Sequence, residues 1–145
     1  MPNATETLKF KIGLSGTFFN NVPAYRVLLN GVVKAEGKTT DVTDYVEFTA
    51  DIVEEQEHLL EIKLTNKTSF DTITENNEIV KDTLLNIDSI EIDDIELGQL
   101  KWTHSEFVGD DPARPVLKNC VNLGWNGSYK LKFNSPFYLW LLENM

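Results

Sequence analysis

Apolar residues occupy every second position in several stretches of this chain, which is the pattern of β-strands that bury one face. Residues 7–14, 58–64 and 128–134 all alternate in this way. The apolar positions expected to face a core are Leu8, Phe10, Ile12, Leu14, Leu60, Ile62, Leu64, Tyr129, Leu131 and Phe133. Each of these stretches is therefore predicted to be a strand of a half-buried sheet.

Turn residues join further strands. Asn30-Gly31 separates two short apolar runs, 25–29 and 32–35, and this pair favours the positive φ angles of a two-residue hairpin turn. Another strand is predicted over 43–51, with Tyr45, Phe48 and Ile52 as buried anchors. The alternating runs within 54–68 and 81–97 flank a polar, acidic loop, and we predict that they pair as a central hairpin.

The last third of the chain has a different residue pattern. Residues 98–127 mix glycine and proline with large aromatic residues, which predicts irregular structure with short strands. Residues 137–142 are almost wholly apolar and fit either a buried strand or a short helix. Together the patterns predict one all-β domain over 1–145, an antiparallel β-sandwich of jelly-roll-like form with an irregular, loop-rich C-terminal third.

Composition excludes several classes of function. The formal net charge of −10 repels phosphate backbones, so no nucleic-acid partner is expected. The sequence contains no run of about 18 apolar residues, so no membrane span is expected. The first residues lack the basic region and apolar stretch of a signal peptide. Cys120 is the one cysteine, so a disulfide within the chain is impossible. His58, in an alternating strand, is predicted to face solvent or the sheet edge.

Residues 45–97 resemble the small calcium-dependent xylan-binding modules and related jelly-roll carbohydrate-binding domains. The segments that carry the resemblance are Val46-Glu47-Phe48-Thr49-Ala50, the strand from His58 to Leu64 with Thr65-Asn66, the run from Asp82 to Ile87, and Ser89 to Asp94. The resemblance implies a jelly-roll fold, binding of a glycan and a calcium ion as the candidate cofactor. Asp94-Ile95 stands where such modules usually have an Asp-Gly turn.

The C-terminal stretch 121–145 resembles structural proteins of tailed phages, in which jelly rolls decorate heads, necks or fibres. This resemblance implies a place in a virion or another extracellular setting, with other virion subunits or surface glycans as partners. The apolar run 137–142 needs a cover, either from the chain's own core or from a second subunit. A homo-oligomer or a larger assembly is expected on that basis.

Aromatic residues beside polar ones are the candidates for a sugar-binding surface. An indole ring can stack on the apolar face of a pyranose, and neighbouring polar groups can bind its hydroxyls. Trp125 and Asn126, flanked by glycines, fit this pattern best, and Trp102 and Tyr138 are weaker candidates. The alternative is that the tryptophans are core or interface anchors.

Loop carboxylates are the candidates for a calcium site, because calcium takes six to eight oxygen ligands. Asp110 and Asp111 follow a glycine and precede a proline, and Asn66 and Asp82 flank the polar loop of the resembling segment. Adjacent carboxylates are also common on a solvated acidic surface, and no EF-hand spacing is present. These four residues are the predicted metal ligands.

Two hypotheses of function follow. The first is a non-enzymatic virion structural or attachment protein of a tailed phage, such as a head decoration, neck or fibre subunit. The second is a calcium-assisted carbohydrate-binding module of a polysaccharide-degrading system. Neither hypothesis requires catalysis, and no catalytic residue is assigned. Neither histidine has a recognisable catalytic partner. Because the chain has 23 acidic residues, the presence of two carboxylates does not indicate a glycoside hydrolase.

Overall fold

The computed structural model describes residues 4–145, and they form two antiparallel sheets that share one hydrophobic core. The strands of the five-stranded sheet are β1 (Thr5–Thr17), β4 (Asp44–Val53), β8 (Leu84–Ile92), β9 (Ile95–Glu96) and β12 (Asn122–Leu123). Those of the six-stranded sheet are β2 (Ala24–Leu29), β3 (Val32–Lys38), β5 (Glu57–Leu64), β10 (Ser105–Gly109), β11 (Leu117–Lys118) and β13 (Gly127–Asn134). Residues 1–3, at the start where a signal peptide would lie, are outside the described residues.

Smaller elements complete the structure. They are a 3-10 helix (Ser69–Asp71), a separate hairpin of β6 (Ile73–Glu75) and β7 (Glu78–Lys81), and the helices α1 (Leu100–Thr103) and α2 (Phe137–Asn144). The strand order is β12-β8-β1-β4, with β9 beside β8, in one sheet and β11-β10-β13-β5-β2-β3 in the other. The prediction of an all-β antiparallel sandwich of jelly-roll-like form is confirmed.

The core forms where the predicted apolar faces of the two sheets meet. All ten positions predicted to face the core are buried, and the ring of Phe10 in β1 lies 6.2 Å from that of Phe133 in β13, centroid to centroid. Asn30 and Gly31 have φ angles of 52° and 83°, so the predicted β2–β3 hairpin turn is also present.

The predicted central hairpin is wrong. The runs within 54–68 and 81–97 became β5 and β8, which lie in different sheets: β5 pairs with β13 and β2, and β8 pairs with β1 and β12. Alternation predicts that a strand buries one face, but it does not say against which strand it pairs. The polar loop between them crosses from one sheet to the other and contains the β6–β7 hairpin.

Two predicted side-chain orientations are also wrong. Tyr45 is 56% exposed, because the buried face of β4 carries Val46 and Ile52, and Tyr45 has the opposite parity. His58 has the same parity as Leu60, so it is buried. Its ring nitrogens hydrogen-bond the Val53 carbonyl and the Asn30 side-chain amide, each at 2.8 Å.

The apolar run at the C-terminus forms a helix, which resolves the alternative that the sequence left open. α2 buries Phe137, Trp140 and Leu141 and exposes the apolar side chains of Tyr138, Leu139 and Leu142. Glu6 caps its start, because its carboxylate accepts hydrogen bonds from the Phe137 amide and the Ser135 hydroxyl, both at 2.7 Å. Among the described residues, no helix is long and apolar enough to cross a membrane.

Candidate functional site

Three loops meet at one end of the sandwich because the strands that carry them are in register. Gly127, the first residue of β13, pairs with Leu64 at the end of β5 and with Gly109 at the end of β10. The loops that follow β5 and β10 and the loop that precedes β13 therefore lie side by side. They enclose an open cleft of about 700 Å³. The cleft is lined by Lys67, Thr68, Ser69, Thr72, Ile79, Asp82, Asp110, Asp111, Arg114, Gly124, Trp125 and Asn126.

Trp125 forms the aromatic wall of the cleft. Its ring packs against the buried ring of Phe107, with centroids 5.6 Å apart, and it is half-buried. The guanidinium of Arg114 lies over the indole, 4.4 Å from the ring centroid, which is a cation–π contact. The indole nitrogen Nε1 is buried and has no hydrogen-bond partner among the described residues.

The loop sequence Asp111-Pro112-Ala113-Arg114 explains how Arg114 reaches the ring. The Arg114 amide donates to the Asp111 carbonyl at 3.0 Å, and the Ala113 amide donates to the Asp111 carboxylate at 2.9 Å. Proline at the second position and aspartate at the first are the residues that favour such a turn. The turn carries Arg114 back over Trp125.

Glycines let the indole approach the strand ends. A Cβ atom added to Gly109 would lie 2.6 Å from Trp125 Nε1, and one added to Gly127 would lie 2.5 Å from the Val108 carbonyl oxygen. Neither contact is possible for a real side chain without a shift of the surroundings. The absence of a side chain at Gly109 therefore lets the indole approach the end of β10, and its absence at Gly127 lets β13 lie close to β10.

A partly buried ion pair forms the polar side of the cleft. Lys67 Nζ lies 2.6 Å from Asp82 Oδ1 and also donates to the Gly124 carbonyl oxygen, and only 8% of the Lys67 side chain is exposed. The same Asp82 oxygen accepts hydrogen bonds from the Thr72 hydroxyl at 2.6 Å and the Thr83 amide at 2.8 Å. Burial would raise the pKa of Asp82, but these hydrogen bonds and the positive charge of Lys67 outweigh it and hold the pKa below its ordinary value.

Asn126 fixes the backbone of Lys67. The Lys67 amide donates to Asn126 Oδ1 at 2.8 Å, and Asn126 Nδ2 donates to the Lys67 carbonyl at 2.9 Å. Asn126 was predicted from its sequence neighbours to bind sugar hydroxyls. Asn126 lines the cleft, and its amide joins two of the loops that shape it.

The structure separates one of the four predicted metal ligands from the other three. Asp82, Asp110 and Asp111 line the cleft, and Asn66 is not among the lining residues. Asn66 Oδ1 accepts from the Ala24 amide at 2.8 Å, and Nδ2 donates to the Val22 carbonyl at 3.0 Å. Within residues 4–145, no group of three or more His, Cys, Asp or Glu side chains is placed to hold a metal ion.

The donors that are present do not suit calcium. A calcium site needs several free oxygens with net negative charge, and Asp82 already shares one oxygen among an ammonium, a hydroxyl and an amide. A divalent cation at Asp82 would lie next to the positive charge of Lys67. Asp110 and Asp111 are exposed, and one oxygen of Asp111 is used within its own turn.

The other two predicted sugar-binding residues lie away from the cleft. Trp102 is 42% exposed on α1, which precedes β10, whereas the cleft is at the far end of that strand. Tyr138 is exposed on α2, and its hydroxyl donates to Asp93 at 3.3 Å, just past the end of β8. Asp82 precedes the start of β8, so Tyr138 and the cleft are separated by roughly 30 Å of strand.

Sequence reasoning missed the two basic residues of the cleft, Lys67 and Arg114. It searched for aromatic platforms and carboxylates, and in an acidic chain an isolated lysine or arginine in a loop reads as a solvated residue. The turn sequence from Asp111 to Arg114 was the one available signal, because it predicts a reversal of the chain beside Gly109.

Comparison with known proteins relates the fold to a binding module. A solved structure described as "vCBM60 in complex with galactobiose" matches 85% of this chain and 96% of its own length, with a TM-score of 0.56 and 12% identity. A selenomethionine form of vCBM60 matches 86% of this chain and 89% of its own, with a TM-score of 0.56 and 13% identity. That form is described with a circular permutation that links two families of calcium-dependent carbohydrate-binding modules.

No family model and no curated protein sequence matches the chain. At 12% and 13% identity the likeness is one of fold. The chain therefore has the β-sandwich fold of a carbohydrate-binding module, in agreement with the resemblance found in residues 45–97. What the cleft of this chain binds has to be argued from its own residues.

Proposed function

We propose that this chain is a non-catalytic carbohydrate-binding module and that a glycan binds in the cleft beside Trp125. The observation that carries the proposal is the cleft itself: a half-buried indole faces an open space of about 700 Å³ lined mainly by polar side chains. This volume lies within the range of about 300–1,000 Å³ that small-molecule sites occupy. A sandwich of the same fold is described in complex with galactobiose, which supports a glycan as the ligand class.

The lining residues match the two surfaces of a pyranose. The indole of Trp125 offers an apolar plane for the C–H face of the ring. The exposed carboxylates of Asp110 and Asp111 can accept hydrogen bonds from sugar hydroxyls. Arg114 already covers the indole, so a sugar that stacks on Trp125 has to move this side chain aside.

The comparisons favour this reading, the alternative of the sequence analysis, over the virion role. An attachment function in a tailed-phage particle, a virion or extracellular location and assembly into an oligomer remain predictions from the sequence. A glycan-binding cleft would serve adhesion to a surface as well as retention on a polysaccharide.

Titration calorimetry against galactobiose and a panel of other neutral oligosaccharides tests the proposal. We expect Trp125→Ala to weaken the binding of the best ligand at least tenfold, because it removes the stacking surface. Trp102→Ala is the matched control, since Trp102 is a tryptophan outside the cleft, and it should bind as the unaltered protein does.

A melting curve of each variant separates loss of binding from loss of folding, because Trp125 also packs on the core residue Phe107. Trp125→Phe, which keeps an aromatic ring, should retain part of the affinity. The proposal is wrong if no glycan binds to the folded protein, or if folded Trp125→Ala binds as tightly as the unaltered chain.

A further inference from the structure

Lys67 links three separate segments of the cleft. Its backbone belongs to the segment after β5, its ammonium contacts Asp82 immediately before β8, and it also reaches the Gly124 carbonyl between β12 and β13. Because β5 and β8 belong to different sheets, this one side chain ties the two sheets together at the loop end.

Several contacts hold the lysine in this position. Asn126 binds both the amide and the carbonyl of the Lys67 backbone, and the Thr72 hydroxyl shares the Asp82 oxygen with the ammonium. With 8% of its side chain exposed, Lys67 has the smallest exposed fraction of any lysine or arginine in the ion pairs found among residues 4–145. A long flexible side chain is ordered and desolvated to this extent only when its partners compensate.

The acidic residue nearest in sequence is also engaged. Asp71 is buried, and one of its oxygens accepts hydrogen bonds from the Thr68 amide and hydroxyl while the other accepts from the Asn21 side-chain amide at 3.1 Å. Both oxygens of Asp71 and one oxygen of Asp82 thus have protein donors, whereas a divalent cation would need them free.

We propose that Lys67 is the cation that holds the cleft loops together in this chain, so that the cleft forms and binds its ligand without a divalent metal. The part that concerns the ligand rests on the proposed function. The proposal sets this chain apart from the calcium-dependent families with which its structural neighbour is described. The ammonium group of Lys67, which is part of the chain, takes the place of a metal ion that would have to be bound from solution.

The first test needs no glycan. The protein is treated with EDTA, dialysed and titrated with calcium chloride alone, by calorimetry and by thermal melting. We expect no saturable heat and no change in Tm up to millimolar calcium. Saturable calcium binding in that range, or a rise in Tm with calcium that EDTA reverses, overturns the proposal.

The second test asks whether Lys67 supports the cleft. Lys67→Met keeps the length of the side chain and removes the charge, and we expect Tm to fall by roughly 5–10 °C. Lys101→Met is the matched control, because Lys101 also contacts a carboxylate, Glu96, and a backbone carbonyl, that of Gly98, each at 3.3 Å, but outside the cleft. Its Tm should fall by at most about 3 °C. Equal falls in the two variants overturn the proposal.

Glycan titrations in EDTA and in calcium separate this inference from the proposed function. Equal affinity in both buffers supports the inference, and affinity that appears only with calcium overturns it while the proposed function stands. If no glycan binds in either buffer, the proposed function fails, and the calcium titration and the Lys67→Met melting curve still decide the role of Lys67.

Discussion

The two ends of the sandwich use aromatic residues in different ways. At the end that carries α2, the rings of Phe137 and Trp140 each lie 6.3 Å from that of Phe133, and all three are buried. At the cleft end, Trp125 has one buried aromatic neighbour, Phe107, and its remaining contacts include the polar side chain of Arg114. The first arrangement completes a core, whereas the second leaves an aromatic surface beside solvent.

Polar groups make the difference between the two ends clearer. At the helical end, His104 meets Trp140 edge-on and hydrogen-bonds Asn144 at 2.7 Å, so its polar atoms are satisfied within the fold. At the cleft end, the indole nitrogen of Trp125 lacks a partner among the described residues. An aromatic residue is therefore a better binding candidate when buried or half-buried polar groups surround it than when it lies in an apolar run.

The largest expected effect is at the helical end. Trp140→Ala should lower the free energy of unfolding by about 3–5 kcal/mol, because it removes a large ring from a packed aromatic cluster. Denaturant unfolding measures the loss, and the folded fraction should keep its glycan affinity.

Leu142→Ala is the control for this helix. Leu142 is 71% exposed, so its replacement should change stability by less than about 0.5 kcal/mol. A Trp140→Ala variant that stays stable but loses glycan binding would contradict the assignment of the two ends.

The next effect concerns the ion pair of the cleft and depends on pH. Asp82→Asn should lower stability at neutral pH by about 1–3 kcal/mol, less than for a fully buried pair because the cleft is open. The pKa of Asp82 is lower in the folded state than its ordinary value of 3.8, so its contribution is present above that value and is lost as the pH falls through the lower, folded one.

Urea unfolding of both proteins between pH 7 and pH 2 checks this dependence. The stability gap should stay constant down to about pH 5 and close as the pH falls below the ordinary pKa of 3.8. A gap that is the same at pH 2 and pH 7 would show that the aspartate charge does not act through Lys67.

Strand positions and buried faces could be predicted from the sequence, because alternation records burial directly. Pairing could not: β5 and β8 both bury one face, and nothing in either strand says that they lie in different sheets. Tyr45 shows the same limit at the scale of one residue, since a shift of one position exchanges the two faces of a strand.

The site was predicted in parts. The structure brings five of the predicted residues to one cleft, namely Asp82, Asp110, Asp111, Trp125 and Asn126, while Trp102 and Tyr138 lie elsewhere. Lys67 was missed because its role depends on contacts with Asp82 and Gly124, 15 and 57 positions further along the chain. Contacts that span loops leave no local sequence pattern.

A smaller effect should follow from a change behind the aromatic wall. Gly109→Ala places a methyl group 2.6 Å from Trp125 Nε1, which is too close, so the indole has to shift by a few tenths of an ångström or more. We expect a loss of about 1 kcal/mol in stability and a severalfold loss of glycan affinity. Calorimetry and unfolding of the same preparation measure both. Unchanged affinity would mean that the ring position does not matter for the ligand.

A small effect is expected at Arg114. Its contact with the indole is an exposed cation–π interaction, worth about 0.5–1 kcal/mol, and a stacking sugar has to displace it. Arg114→Ala should therefore strengthen glycan binding by about two- to fivefold. Arg114→Lys, which keeps the charge without the planar guanidinium, should fall between the two proteins. Weaker binding in Arg114→Ala would mean that the sugar binds to the guanidinium and that Trp125 supports the arginine instead of the ligand.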